Sequence, residues 1–205
     1  MKWLLSSGGD GVRGQMTVGQ YRAIDLSLFA LMLIVFESMI AAAATRWYPN
    51  EPYTVSLAAS ITAIVLMRWG LWAALHAALG GLVYCLASRG SGQQLLVYCA
   101  GNLLGVGAIA WFRVFGREGI RRDSFKALVF AATVLLFMQA GRGMGSMLLG
   151  AGPAAAFRFV TTDSVSYIIT LLIIWIVRRL DGVFEDQIQY LQRVNKEREE
   201  EKGGV

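Results

Sequence analysis

The residues that could do chemistry here are polar or ionisable groups set inside apolar runs. Glu37 interrupts "FALMLIVFESMIAAAA", His76 interrupts "WAALHAALGGL", and Asn102 interrupts "YCAGNLLGVGAIAWF". Gln139 and Arg142 share "FMQAGRGMGSMLLGAGP", and Asp163 opens "TTDSVSY", which also carries Tyr167. In a bilayer an ionised side chain at a helix centre costs about 2.5–3.5 kcal/mol on insertion scales, so such groups face a partner or a wet cavity. Glu37 therefore reads equally as a ligand contact or as an internal tie, with Arg142 its natural salt-bridge partner. His76 reads as a hydrogen-bonded packing residue.

The glycines around Arg142 narrow the chemistry. A phosphate loop needs a strand, then GxxxxGK[ST], then a helix, and this segment has neither the lysine nor the strand. Glycine in a membrane lets backbones approach closely and permits irregular backbone where it lines a cavity. The expectation is a bend in the helix near Gly141–Gly152, with Arg142 aimed into a polar pocket. "VTTDSVSY" would supply hydroxyls and a carboxylate at the same depth, at the positive end of a helix dipole. One histidine, no CxxC and no HExxH leave no metal site, and no nucleophile has a base at a recognisable spacing. An enzyme is disfavoured and no cofactor is expected. Cys85 and Cys99 read as small packing thiols rather than a disulfide.

The elements that must position these residues are membrane helices. Of 205 residues, 56% are hydrophobic and 16% charged, and mean hydropathy is +0.51. A soluble domain carries about 25% charged residues. Period-2 alternation is absent, which excludes a barrel. Six spans are expected, at about 24–45, 54–67, 71–87, 94–112, 125–149 and 162–177, with the boundary at "RWG" between the second and third the least defined. Asp123–Ser124 makes an N-cap for the fifth. The fold class is thus all-α: a six-helix transmembrane bundle over 21–180, between a short N-terminal tail (1–20) and a C-terminal amphipathic helix (181–205).

Lysine and arginine placement orients the bundle. Nineteen basic residues are present. With the N-terminus inside, all but Arg46, Arg89, Arg142 and Arg158 fall on the cytoplasmic side, as the positive-inside rule expects. The formal charge of +5 is thereby accounted for without nucleic acid. Both termini are expected in the cytoplasm and the chain in the cell membrane. The first 20 residues lack an apolar core with a small-residue cleavage site, so no signal peptide is read.

Two surfaces could dock partners. Ala73, Ala77 and Gly81 recur at four-residue steps in the third helix, a small-residue face suited to close helix packing. In the tail, Phe184, Ile188 and Leu191 recur at helical spacing with charges between.

Six spans in about 200 residues, an aromatic loop after the first and the glycine/alanine-rich "AALHAALGGLVYCLASRG" and "YCAGNLLGVGAIAWF" resemble the substrate-binding S components of energy-coupling factor (ECF) transporters. The resemblance is one of architecture and covers roughly residues 20–180. It implies a non-enzymatic subunit that captures a vitamin-like micronutrient from outside and joins a transmembrane coupling protein and two ATPases. Trp47, Tyr48, Asn50, Glu51 and Tyr53 would form the capping loop; Asn102, Gln139, Arg142, Asp163 and Tyr167 would line the pocket. Arg142 would then meet an anionic group on the substrate. The family's AxxxA face on the first helix has no match at Ala30, which is followed by Ile34. The alternative is a membrane scaffold or assembly factor acting through helix packing and the C-terminal tail.

Overall fold

The computed structural model describes residues 17–48 and 54–203, and every regular element among them is helical. Helix α1 (Val18–Trp47) starts at a capping box, in which the Thr17 side chain accepts from Gln20 N–H and Gln20 accepts from Thr17 N–H. Its buried residues are Asp25, Phe29, Leu33, Glu37 and Ala41, one stripe at four-residue steps. Ile24, Leu28, Leu31, Met32, Val35 and Met39 face outward. Such a continuous apolar outer surface needs an apolar cover, and the helix is long and apolar enough to cross a membrane.

Helix α2 (Ala58–Trp69) is buried on all sides. Gly70, at φ +61°, ends it and turns the chain through a short 3-10 segment into α3 (Ala73–Ala87). A left-handed residue here reverses the chain at a position where any Cβ would be strained. The return is antiparallel, for a Cβ on Gly80 would lie 2.5 Å from that of Ala58. The turn expected at "RWG" is therefore present.

Helix α4 (Gly92–Asn102) starts at a second capping box, Ser91 with Gln94. It continues through a 3-10 stretch (Leu103–Ala110) into α5 (Trp111–Phe115). Gly116, at φ +68°, turns into α6 (Arg117–Arg122). Asp123 then caps α7 (Ser124–Leu148), accepting from Phe125 N–H and Lys126 N–H, as its sequence position predicts. The bend expected within the glycine-rich stretch does not occur: α7 runs unbroken past Gly141, Gly143 and Gly145. The irregular backbone comes later, at Gly150 (φ +90°). The early glycines serve close approach instead. A Cβ on Gly141 would sit 2.1 Å from the Gly101 carbonyl oxygen, and one on Gly143 would sit 3.2 Å from the Ala156 Cβ.

Helix α8 (Pro153–Thr162) was read in the sequence as a connection; it is helical and meets α9 (Ser164–Val177) at a bend of 52°. Residues 178–186 form turns that pack back on the bundle, and α10 (Gln187–Gly203) follows. Four helical runs are long and apolar enough to cross a membrane: Val18–Trp47, Ala58–Ala87, Gly92–Phe115 and Ser124–Leu148. The bent α8–α9 pair makes a fifth. The second of these runs doubles back at Gly70, as the Gly80–Ala58 contact requires.

Contacts along the helices fix their directions. Asp25 meets Arg68 while Glu37 meets Leu57, so α1 and α2 are antiparallel. Ser56 meets Ser166 and Ser60 meets Thr170, so α2 and α9 run together. The apolar core, including Leu33, Leu66, Phe130, Met138 and Ile174, fills the space between two polar layers.

Candidate functional site

The outer polar layer is built around Arg142 on α7. Its Nε donates to Asn102 Oδ1 on α4 (2.7 Å) and its Nη1 to Asp163 Oδ2 at the start of α9 (2.7 Å). Its guanidinium carbon lies 4.6 Å from the centre of the Tyr98 ring, a cation–π contact. Asn102 in turn donates to the Ala77 carbonyl of α3 (3.0 Å). Asp163 also accepts from the Thr54 hydroxyl and from Gln139 Nε2 (3.4 Å). Tyr167 completes the chain by donating to Gln139 Oε1 (2.9 Å). All of the ionised members are buried, and each is paired, which is the condition for charge in a low-dielectric interior.

Glu37 belongs to the same layer by a different contact. The N-terminus of α2 lies inside the bundle, where its free N–H groups have no water to meet. Side chains supply the acceptors. Leu57 N–H donates to Glu37 Oε2 (2.8 Å), Ser56 N–H to Ser166 Oγ (3.1 Å) and Ala58 N–H to Ser56 Oγ (3.2 Å). Glu37 thus caps a neighbouring helix, and the salt bridge expected between it and Arg142 is replaced by Arg142–Asp163. The reason is reach: Asp163 stands at the α8–α9 bend beside α7, and α2 claims the Glu37 carboxylate. Its Oε1 is buried and has no hydrogen-bond partner among the described residues.

Glu37, Asn102, Gln139, Arg142, Asp163 and Tyr167 are therefore brought together as the sequence suggested. The arrangement leaves Arg142 neutralised by Asp163, and an anionic ligand would have to displace that carboxylate. Trp47 is 71% exposed at the end of α1, with Tyr48 beside it, and neither contacts the layer through a hydrogen bond. Asn50, Glu51 and Tyr53 lie outside the described residues. His76 Nε2 donates to the Leu26 carbonyl (3.0 Å) within the packed bundle, in keeping with a packing role.

The docking residues need correction. Ala73 and Ala77 are fully buried, and a Cβ on Gly81 would press 2.6 Å from the α4 backbone at Tyr98, so this face is already used by the chain's own helices. Phe184 is also fully buried, edge-on to Phe130, whereas Ile188 is half-exposed and Leu191 partly covered. Among the described residues no group of three metal-ligating side chains occurs.

A second polar layer, at the opposite end of the bundle, escaped the sequence reading. Asp25 accepts twice from Arg68 (2.8 and 2.6 Å) and once from the Trp69 indole (2.6 Å). Arg68 Nη1 donates on to the Val183 carbonyl (3.0 Å). Asp25 sits three four-residue steps before Glu37 on the same face of α1, and that spacing was the available signal. This end also gathers Arg117–Asp186, Arg121–Glu185 and Arg121–Glu118 ion pairs.

Beyond the outer layer, towards the α3–α4 turn, a cavity of about 440 Å³ is walled by α4, α7 and α8. Ser91, Gln93, Gln94 and Ser146 give it polar groups, and Tyr98 and Phe159 give it aromatic ones. The Tyr98 ring is stacked on Tyr84 (4.9 Å) and met edge-on by Phe159 (5.8 Å). No family model matches this chain, and neither a curated protein nor a solved structure matches it.

Proposed function

We propose that this chain is a non-enzymatic membrane component that binds a small solute for import, in the manner of an ECF S component. The observation that carries the reading is the 440 Å³ cavity, which is within the range of about 300–1,000 Å³ typical of ligand sites. Its walls come from α4 and α7, which correspond to the fourth and fifth expected spans, and from α8 in the connection before the sixth. The solute site is thereby moved outward from Arg142, which serves as the buried tie beneath it. In this reading α1, α2, α3, α4–α5, α7 and α8–α9 are six crossings in the cell membrane. The end holding Arg68, Arg117 and Arg121 is cytoplasmic by the positive-inside rule, and both termini lie there. A transmembrane coupling protein and ATPase subunits are the partners.

A gentle-detergent pull-down of the tagged protein from native membranes, with mass spectrometry of what is retained, tests this. Two ATPases and a second membrane protein in stoichiometric amounts are the expected result. The alternative, a scaffold or assembly factor, is favoured by one observation: Arg142, the cation of the outer layer, is already paired internally with Asp163. Envelope or cytoskeletal proteins without an ATPase would establish it in place of the importer.

A further inference from the structure

We propose that the ligand of this protein is an uncharged amphiphile, with its hydroxylated head in the cavity at the ends of α4, α7 and α8 and its hydrocarbon chain in a groove between α4 and α7. The inference rests on the solute-binding reading above, since the head site is the cavity assigned there. A second cavity of about 410 Å³ runs along the α4–α7 crossing. It shares Val97 and Leu149 with the first, so the two cavities lie side by side. Leu96, Leu104, Met144 and Leu148 line the second cavity, and all four are exposed on the lipid-facing surface. Its floor is glycine: Gly101, Gly141 and Gly145 leave no side chains there, because the two backbones approach within contact.

Polarity changes from one cavity to the other in one direction. The inner one offers hydrocarbon alone. The outer one offers Ser91, Gln93, Gln94 and Ser146, with no ionised residue on its wall among the described residues. Some of that polarity is already engaged, since Gln94 Oε1 accepts from Ser91 N–H (2.8 Å) and Ser146 Oγ donates to the Gly143 carbonyl (2.8 Å). The amides of Gln93 and Gln94 remain as donors to a ligand. The nearest buried charges, Arg142 and Asp163, cancel each other beneath Tyr98. An apolar slot beside an uncharged, hydrogen-bonding chamber matches a molecule with a chain at one end and hydroxyls at the other. The groove beside Phe36, Met39 and Trp47 on α1 lacks this partition: among the described residues its walls come from a single helix, with a cation, Arg46, at its rim. It serves as the internal control for ordinary annular lipid.

The test uses a monoacylglycerol with a photoactivatable diazirine in its chain, added to the full-length protein in phosphatidylcholine vesicles. Labelling should concentrate on residues 96–104 and 141–149 and be displaced by unlabelled monoolein. Ala100→Trp or Met144→Trp, each on the exposed groove wall, should abolish it, while Gln93→Leu should weaken displacement by monoolein. An anionic analogue, lysophosphatidate, should compete at least about tenfold less well, because a charge would enter a wall without a counter-ion. Labelling spread equally over the α1 groove and indifferent to the tryptophan variants would overturn the proposal, as would equal competition by the anion. A water-soluble solute retained with the ATPases, alongside undisplaceable groove labelling, would leave the importer standing and remove the amphiphile. Displaceable labelling without ATPases would do the reverse.

Discussion

Removing the Arg142 guanidinium strands two buried partners at once, Asp163 and Asn102. Breaking one side of a buried ion pair costs about 3–5 kcal/mol, whereas replacing both partners by apolar residues of similar size is often neutral. Arg142→Ala should therefore lower the unfolding midpoint in detergent sharply, and Arg142→Met with Asp163→Leu should recover most of the loss. Equal stability of the single and double variants would mean that the pair is not the tie. Glu37→Gln should be far milder, because an amide oxygen still accepts from Leu57 N–H. Glu37→Leu leaves that N–H unsatisfied and should cost about 1–3 kcal/mol. The members of this layer were legible in the sequence, since a polar residue inside an apolar run announces itself. Their pairing was not. Which carboxylate reaches Arg142 depends on the bend at Asp163 and on the buried start of α2, neither of which a single sequence displays.

At the scale of elements, the α4–α7 crossing is set by backbone contact rather than by side chains. Gly141→Ala places a methyl 2.1 Å from the Gly101 carbonyl oxygen and must push the helices apart. Overpacking of this kind costs about 1–3 kcal/mol. Gly145→Ala, whose new methyl finds nothing nearer than 3.8 Å, should instead stabilise α7 by up to about 1 kcal/mol through helix propensity. Thermal unfolding of the two variants side by side checks the contrast, and a similar loss in both would show that propensity, not contact, governs. Hydropathy revealed these helices and the Asp123 cap, and it marked the turn at "RWG". It misplaced the break in α7 because glycine permits both a bend and a close approach, and only the neighbour at Gly101 decides between them. Element α6 adds a pH-dependent clamp. The hydrogen bond from Arg121 holds the Glu118 carboxyl below the usual carboxylate range. Its contribution, under about 1 kcal/mol for so exposed a pair, is present above the unfolded carboxyl pKa of about 4.3 and is lost as pH falls through the lower folded value. Stability–pH curves of the wild type and Glu118→Gln should accordingly converge in acid and separate near neutrality.

The whole molecule is an apolar core held between two charged layers, one anchored on Arg142 and the other on Arg68. The second layer draws the C-terminal segment into the fold. Arg68 donates to the Val183 carbonyl, Gln187 donates to the Gly182 carbonyl (2.8 Å), and Phe184 is fully enclosed against Phe130. Beyond Gln187, helix α10 touches this segment through Arg193, which pairs with Asp181 (3.0 Å) and Glu185 (3.1 Å), while Ile188 at its start is half-exposed. The amphipathic pattern of the tail thus conflates two things: an anchor up to Gln187 and a charged helix that leaves the bundle. Ending the chain after Gln187 should lower stability by no more than about 1 kcal/mol, because it removes only the part-exposed Arg193 pairs with Asp181 and Glu185. Ending it after Leu180 strips Arg68 of its carbonyl acceptor and removes a buried phenylalanine, a loss of about 3–5 kcal/mol for the side chain alone. Melting curves of the two truncations distinguish these roles. If the shorter chain were as stable as the longer, the basic layer would be closed by Asp25 without the tail.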